Sequence, residues 1–225
     1  MTSFSDADAV AHYQTNAARL VPGLSALHRM AGLLLAEVVP ADGRVLVLGA
    51  GGGMELKAFA EAHPGWRFAG VDPSPQMLKL AADALGPLAR RADLIEGTID
   101  AAPETAFDGA SCLLTLHFLT MDERRHTLGE LRRRLKPGAP LIVAHHSFDQ
   151  SDEDKLRWLT RYAAFAMASG VPHINAKAAI EGIGAKLPVL SPDADVALLR
   201  EAGFERVELF YAAFTFRGWV AYSAP

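Results

Sequence analysis

The sequence predicts an α/β protein built on a doubly wound, mostly parallel sheet of seven strands, with helices before it and a helical insertion after the fifth strand. Three observations lead there. Apolar runs alternate with helix-forming segments from residue 44 to 146. The first run, Val45-Leu46-Val47-Leu48, enters a turn with four glycines in five residues, Gly49 and Gly51-Gly52-Gly53. Two closing β runs, Phe204 to Phe210 and Ala213 to Tyr222, are joined by a tight connection.

Length and composition fit one domain. The chain has 225 residues, half of them hydrophobic, enough for one core with a small embellishment. Its formal charge of −4 argues against a nucleic-acid surface. A lone Cys112, set in an apolar run, excludes an internal disulfide and suits the cytoplasm. The first residues lack a basic stretch followed by an apolar one, so no secretion signal is expected. Leu33-Leu34-Leu35 is too short an apolar block to span a bilayer.

Residues 5–20 place Val10, Tyr13, Ala17 and Leu20 at helical spacing, and Pro22-Gly23 breaks the helix. A second, more apolar helix is expected from Leu24 to Val39, and the two together (1–43) would form a lid. Tyr13, His12 and Arg19 are its candidates for facing a ligand; packing and surface exposure are the competing reading. Residues 44–146 are expected to form the sheet that binds a ligand. Four apolar residues in a row read as a strand buried on both faces, glycines let backbone approach a ligand, and Met54 to Ala60 start a helix. Free N–H groups at such a helix start face an anionic or polar ligand end.

Trp66 to Asp72 is the second strand. Asp72 stands about 20 residues beyond the glycine turn, where a carboxylate suits the two hydroxyls of a ribose. A helix cap is the plainer use of such an Asp. Ser74 then caps a helix with Pro75 in its first turn. Ala92 to Gly97 reads as the third strand, and Ala110 to Leu119 as the fourth strand and its exit. Thr120 and Glu123 form a capping box, and Lys136-Pro137-Gly138 ends that helix. Leu141 to His146 is the fifth strand. Ligands of such sheets sit at the strands' carboxyl ends, where Gly49 to Gly53, Asp72, Gly97 to Ile99 and Leu116-His117 all fall.

Residues 147–190 interrupt the alternation, with Trp158, Tyr162 and Phe165 on one helical face and a second short helix over 175–186. Set over the strand tips, this insertion would cap a substrate; core or dimer surface is the alternative. Residues 191–225 supply a last helix, capped by Ser191, and the hairpin.

The Gly-x-Gly-x-Gly turn after a hydrophobic strand, Asp72-Pro73-Ser74-Pro75-x-Met77, and Phe107-Asp108 … Leu135-Lys136-Pro137-Gly138 resemble the motifs of class I S-adenosylmethionine-dependent methyltransferases, a Rossmann-like fold. The resemblance implies S-adenosyl-L-methionine as cofactor and a sheet ending in a hairpin with one strand inserted antiparallel. It implies cofactor contacts from Gly49, Ala50, Gly51, Gly53, Asp72, Pro73, Ser74, Met77, Gly97, Thr98, Ile99, Leu116 and Arg19. Two departures stand out. The acid usual two positions before the first glycine is Val47, and the acid usual after Gly97 is Thr98, so the adenine contact falls to Thr98, a backbone group or Asp100.

Within that group the chain is most similar to the carboxy-S-adenosylmethionine synthases, through Arg19-Leu20-Val21-Pro22-Gly23, Ile95-Glu96-Gly97, Thr115-Leu116-His117-Phe118-Leu119 and Ala202-Gly203-Phe204. That similarity implies a homodimer. The family's carboxylate-holding arginine corresponds to Ala178, beside Lys177, and an aromatic residue of its N-terminal helix to Leu24, which counts against carboxy transfer.

Methyl transfer needs positioning first and a base only where the acceptor carries a proton. His117, at the fourth strand's tip, is the leading base candidate. His145 and His146 end the fifth strand, and alternation sends only one of them toward the site; Tyr162 and His173 are further candidates from the insertion. His117, His145, His146 and Asp149 lack the spacing of a metal site, so no metal is expected. The expected function is methyl transfer to a small-molecule acceptor, without membrane or nucleic acid. Carboxy transfer, a nicotinamide oxidoreductase (opposed by Met54 where a small residue is wanted) and a non-catalytic cofactor-binding protein remain the alternatives.

Overall fold

The computed structural model describes residues 13–225. The readings at Val10 and His12 lie outside the described residues. Helices α1 (Tyr13–Leu20) and α2 (Leu24–Ala36) precede the sheet, with Gly23 between them at φ 66°. Strand β1 (Arg44–Leu48) leads to α3 (Met54–Ala62), β2 (Arg67–Asp72) to α4 (Pro75–Leu85). The α4 start is as its residues dictate: Ser74 Oγ accepts from the Met77 N–H and Pro75 occupies the first turn. Between β3 (Ala92–Glu96) and β4 (Gly109–Leu113) the expected full helix is missing; a single 3₁₀ turn, Ile99–Ala101, fills the link. β4 is also shorter than expected, because Leu114 turns left-handed at φ 59° and a second 3₁₀ turn follows over Leu116–Phe118.

Helix α5 (Met121–Arg134) opens on the complete Thr120–Glu123 capping box and runs to β5 (Pro140–His146). Next come α6 (Asp152–Ala168) and α7 (His173–Lys186), then α8 (Pro192–Glu201) and the hairpin of β6 (Phe204–Ala213) and β7 (Phe216–Ser223). The sheet order is β3-β2-β1-β4-β5-β7-β6. β1 to β5 pair in parallel, and β7 lies antiparallel between β5 and β6. The order reverses between β1 and β4, a crevice where such sheets take ligands. Among the described residues no helix is long and apolar enough to cross a membrane.

Strand alternation divides the core. Val45 and Val47 pack with α2 and α3 residues such as Leu27, Leu35 and Phe59, while Leu46 and Leu48 pack with Leu128 and Leu131 of α5 and Leu198 of α8. The second layer also holds a charged pair. Arg124 is 1 % exposed, and its guanidinium donates to Asp195 Oδ1 at 3.0 Å, to the Leu119 carbonyl at 3.1 Å and to the Pro188 carbonyl at 2.5 Å. Removing only the anion leaves a buried cation short of a partner. Asp195→Ala is therefore expected to lose about 3–5 kcal/mol of stability in urea denaturation. The shape-matched Asp195→Asn, which keeps an acceptor, should lose less. Equal losses for the two would contradict the ion-pair account.

Candidate functional site

The glycine turn is shaped by close approaches. Gly49, Gly51 and Gly53 have φ of 74°, 48° and 76°. A Cβ at Gly49 would lie 2.0 Å from Thr115 Oγ1, and one at Gly53 would lie 2.7 Å from the Ala81 Cα. Only glycine meets both the dihedral and the contact. The N–H groups of Gly49 and Ala50 donate to the Val71 carbonyl at 2.8 and 3.0 Å, tying the end of β1 to β2. The Gly51 N–H donates to Asp72 Oδ2 at 2.9 Å, and the Ser74 N–H to Asp72 Oδ1 at 2.9 Å. Burial raises the pKa of Asp72, while these two N–H bonds act to lower it. Each carboxylate oxygen keeps lone-pair capacity for a further donor.

Beside the turn lies a cavity of about 30 Å³. Tyr13 and Ala17 of α1, Leu24 and His28 of α2, Gly49, Ala50, Gly52, Met54, Glu55, Leu113 and Leu114 line it. Tyr13 stands over the glycines: a Cβ at Gly52 would be 3.0 Å from its Cδ1. Burial, followed by the Asp72 and Glu55 carboxylates, pushes its phenol up to about 12. Burial takes His28 down to about 4. Glu55 is 6 % exposed, and burial pushes its carboxyl up to about 8 against the Ser111 hydroxyl, which donates to Oε1. The left-handed Leu114, a strained conformation for its side chain, borders the same space.

Along the outer tips, Met77, Ile99 and Leu116 are buried apolar groups, Gly97 and Ser74 are half-buried, and Pro73 and Thr98 are exposed. Met77 reaches toward Gly51, its Cε 3.6 Å from where a Cβ would stand. The Thr98 hydroxyl donates to Asp100 Oδ2 at 3.2 Å, and Asp100 Oδ1 lies 2.7 Å from His126 Nε2. The adenine alternatives Thr98 and Asp100 are thus bonded to each other. Arg19 is exposed on α1, about 200° around the helix from the cavity-lining Ala17.

The histidines separate by strand parity. His145 points into the α5–α8 layer, where its Nε2 is 3.1 Å from Asp195 Oδ1 and its ring 5.6 Å from Trp219. That corrects its expected place at the site, since its face of β5 is the one covered by α8. His146 takes the other face. Its ring stacks on Phe216 at 4.1 Å and meets His117 at 4.8 Å and Tyr162 at 5.5 Å edge-on. Its Nδ1 is 2.9 Å from Thr215 Oγ1. Burial, then His145, takes His146 down to about 3; burial, then His146, His145 and Arg124, holds His117 well below the ordinary histidine range. Burial pushes Tyr162 up to about 12. His117 Nδ1 accepts from the His146 N–H at 3.4 Å, which leaves the neutral ring's proton on Nε2. His173 is exposed at the start of α7. Among the described residues no group of three or more His, Cys, Asp or Glu could hold a metal ion.

Glu55, His28 and Thr115 escaped the sequence reading. The available signal for Glu55 was its place in the first turn of the helix after the glycines, where a carboxylate meets the positive end of the helix dipole.

Residues 46–141 match the family model described as a methyltransferase domain. The carboxy-S-adenosyl-L-methionine synthase of Chromohalobacter salexigens is 29% identical over 222 residues, covering 96% of this chain and 82% of that protein. Among solved structures, an O-methyltransferase family protein from Burkholderia thailandensis superposes with a TM-score of 0.70 at 16% identity, covering 98% of this chain and 61% of that one. Human N-acetylserotonin methyltransferase, solved with SAM, gives 0.59 at 18% identity, covering 96% of this chain and 59% of that one. The chain spans about three fifths of each of these two structures.

The buried histidines set a pH response. His146 (about 3) and His28 (about 4) are neutral when folded, whereas their unfolded value is 6.5. Below pH 6.5 the unfolded chain therefore binds more protons, and stability falls on acidification by up to about 1.4 kcal/mol per pH unit for each group. Urea midpoints of wild type and His146→Gln between pH 7 and pH 4.5 should diverge accordingly, with the variant showing the shallower loss. Parallel curves would mean His146 is not held neutral.

Proposed function

We propose that this chain, which carries a methyltransferase domain over residues 46–141 on the class I methyltransferase sheet, transfers the methyl group of S-adenosyl-L-methionine to a small, partly apolar acceptor. One observation carries the reading: a buried carboxylate, Asp72, pinned by the Gly51 and Ser74 N–H groups at the mouth between β1 and β2. That donor set suits an adenosyl group. Asp72 would take the ribose hydroxyls, the backbone of Gly49 to Gly53 the amino-acid tail, and Met77, Ile99 and Leu116 the faces of the adenine, with Gly97, Thr98, Pro73 and Ser74 along its rim.

When bound, the cofactor supplies a sulfonium methyl group open to in-line attack. The chain contributes position, worth roughly 7–11 kcal/mol when reactants are held in register. His117, His146 and Tyr162 form a neutral aromatic wall that excludes water and offers hydrogen bonds. As arranged, His117 donates through Nε2 rather than accepting a proton, so this reading favours acceptors that arrive ready to attack. Helices α1 and α2 (within 1–43) act as a lid over the turn, and α6 and α7 (within 147–190) as a cap, with 191–225 closing the sheet. The likeness to carboxy-S-adenosyl-L-methionine synthases supports a homodimer, and the buried Cys112 thiol supports a cytoplasmic setting.

Carboxy transfer is the second reading, favoured by the name of the Chromohalobacter relative. Against it, Lys177 and Ala178, where the family's arginine is expected, are exposed on α7.

Calorimetry tests the first reading. S-adenosylhomocysteine should bind below millimolar concentration, and Asp72→Ala should weaken it at least about tenfold, the loss of charge-assisted hydrogen bonds. No binding, or equal binding by the variant, overturns it. Mass spectrometry after incubation with S-adenosylmethionine and prephenate decides the second: a carboxylated cofactor supports it, and its absence rejects it.

A further inference from the structure

Glu55 is a buried carboxyl with no Lys or Arg partner among the described residues. It sits in the first turn of α3, borders the small cavity beside Gly49, Ala50 and Gly52, and takes the Ser111 hydroxyl on Oε1. A purely structural acid at this place would need a basic partner or a full set of donors. The described groups around it include no Lys or Arg. From α1 comes the Tyr13 phenol, from α2 the His28 imidazole held neutral by burial, and from β4 the Ser111 hydroxyl, while the neighbouring Cys112 points to the other face of the sheet. The described lining of the cavity contains no Lys or Arg. The cavity has room for a water-sized group, which is also the size of an ammonium.

We infer that Glu55 is the counter-charge for the α-ammonium of the cofactor's amino-acid tail, supplying from the helix the carboxylate that Val47 does not supply from the strand. The inference rests on the cofactor reading above. Its physical content is a proton exchange. With no Lys or Arg in the described lining, burial pushes the Glu55 carboxyl up to about 8. Entry of an ammonium favours the ionised form, and the proton leaves to solvent. Affinity therefore rises with pH, by up to about tenfold per unit below pH 8, and then levels. The same burial makes the unliganded fold lose stability as pH rises from 4.5 to about 8, because there the folded state holds the extra proton.

Calorimetry on the full chain separates the possibilities, with S-adenosylhomocysteine and with 5′-deoxy-5′-methylthioadenosine, which lacks the amino-acid tail. The variant is Glu55→Gln, which preserves volume and an acceptor for Ser111. S-adenosylhomocysteine should bind Glu55→Gln roughly tenfold to a hundredfold more weakly than wild type, the range of one charge-assisted hydrogen bond. The tailless nucleoside should bind both proteins alike. Runs in two buffers of different ionisation heat at pH 7 should show net proton release from wild type and none from the variant. Unchanged S-adenosylhomocysteine affinity in the variant, or identical proton release, overturns the inference and leaves the cofactor reading standing. Loss of both ligands by the variant assigns Glu55 to folding and also overturns it. Failure of both ligands on wild type removes the cofactor reading and this inference with it.

Discussion

The Asp72 carboxylate accepts the Gly51 N–H on one oxygen and the Ser74 N–H on the other, so one side chain fixes the turn after β1 and the entry to α4 together. Everything at the strand tips depends on that junction. It requires Gly51 at φ 48°, flanked by Gly49, which has no room for a Cβ beside Thr115, and Gly53, which has none beside Ala81. The carboxylate is buried and still ionisable because backbone donors replace the water it loses. A side chain at either outer glycine would push the turn off Asp72, and the ligand-facing lone pairs would move with it.

The two sides of the sheet meet burial with different partners. In the α5–α8 layer Arg124 and Asp195 form a buried ion pair at 3.0 Å, and His145 Nε2 lies 3.1 Å from the same carboxylate oxygen. On the opposite face His146, His117 and Tyr162 have no such ion pair and are all shifted toward neutrality. Two adjacent residues of one strand thus serve different ends, one near a structural ion pair and the other in an uncharged wall. The alternation of β5 side chains is the cause.

Much of this could be read before the coordinates. Val45 to Leu48, the glycine turn, Asp72, the Ser74 cap, the Thr120–Glu123 box and the hairpin each declare themselves through local rules, and each is where those rules put it. What escaped depends on phase or on distant packing. The parity of β5 that sends His145 to Asp195 is set by which layer covers which face, and the two histidines look alike in sequence. Which residues of α1 line the cavity, Tyr13 and Ala17, is set by contact with α2 and the turn, which helical spacing alone does not reveal. The link from β3 to β4 holds one 3₁₀ turn where alternation suggested a helix. Leu114's left-handed backbone has no local signature at all: its N–H is drawn to the Ala144 carbonyl at 2.6 Å, a tertiary constraint. Glu55 looks like an ordinary helix-start acid until Ser111 and the cavity enclose it.

The placement of β7 between β5 and β6, although it follows both in the chain, has a consequence for how the protein is made. During synthesis on the ribosome, the β5 rim emerges with its hydrogen-bonding groups unmet, and β6 cannot cover it because it does not pair with β5. The sheet can be sealed only once the chain has been extended through Ser223. Until then the nascent protein presents a bare parallel edge, the kind of surface that chaperones shield and that stalled or truncated chains use to aggregate.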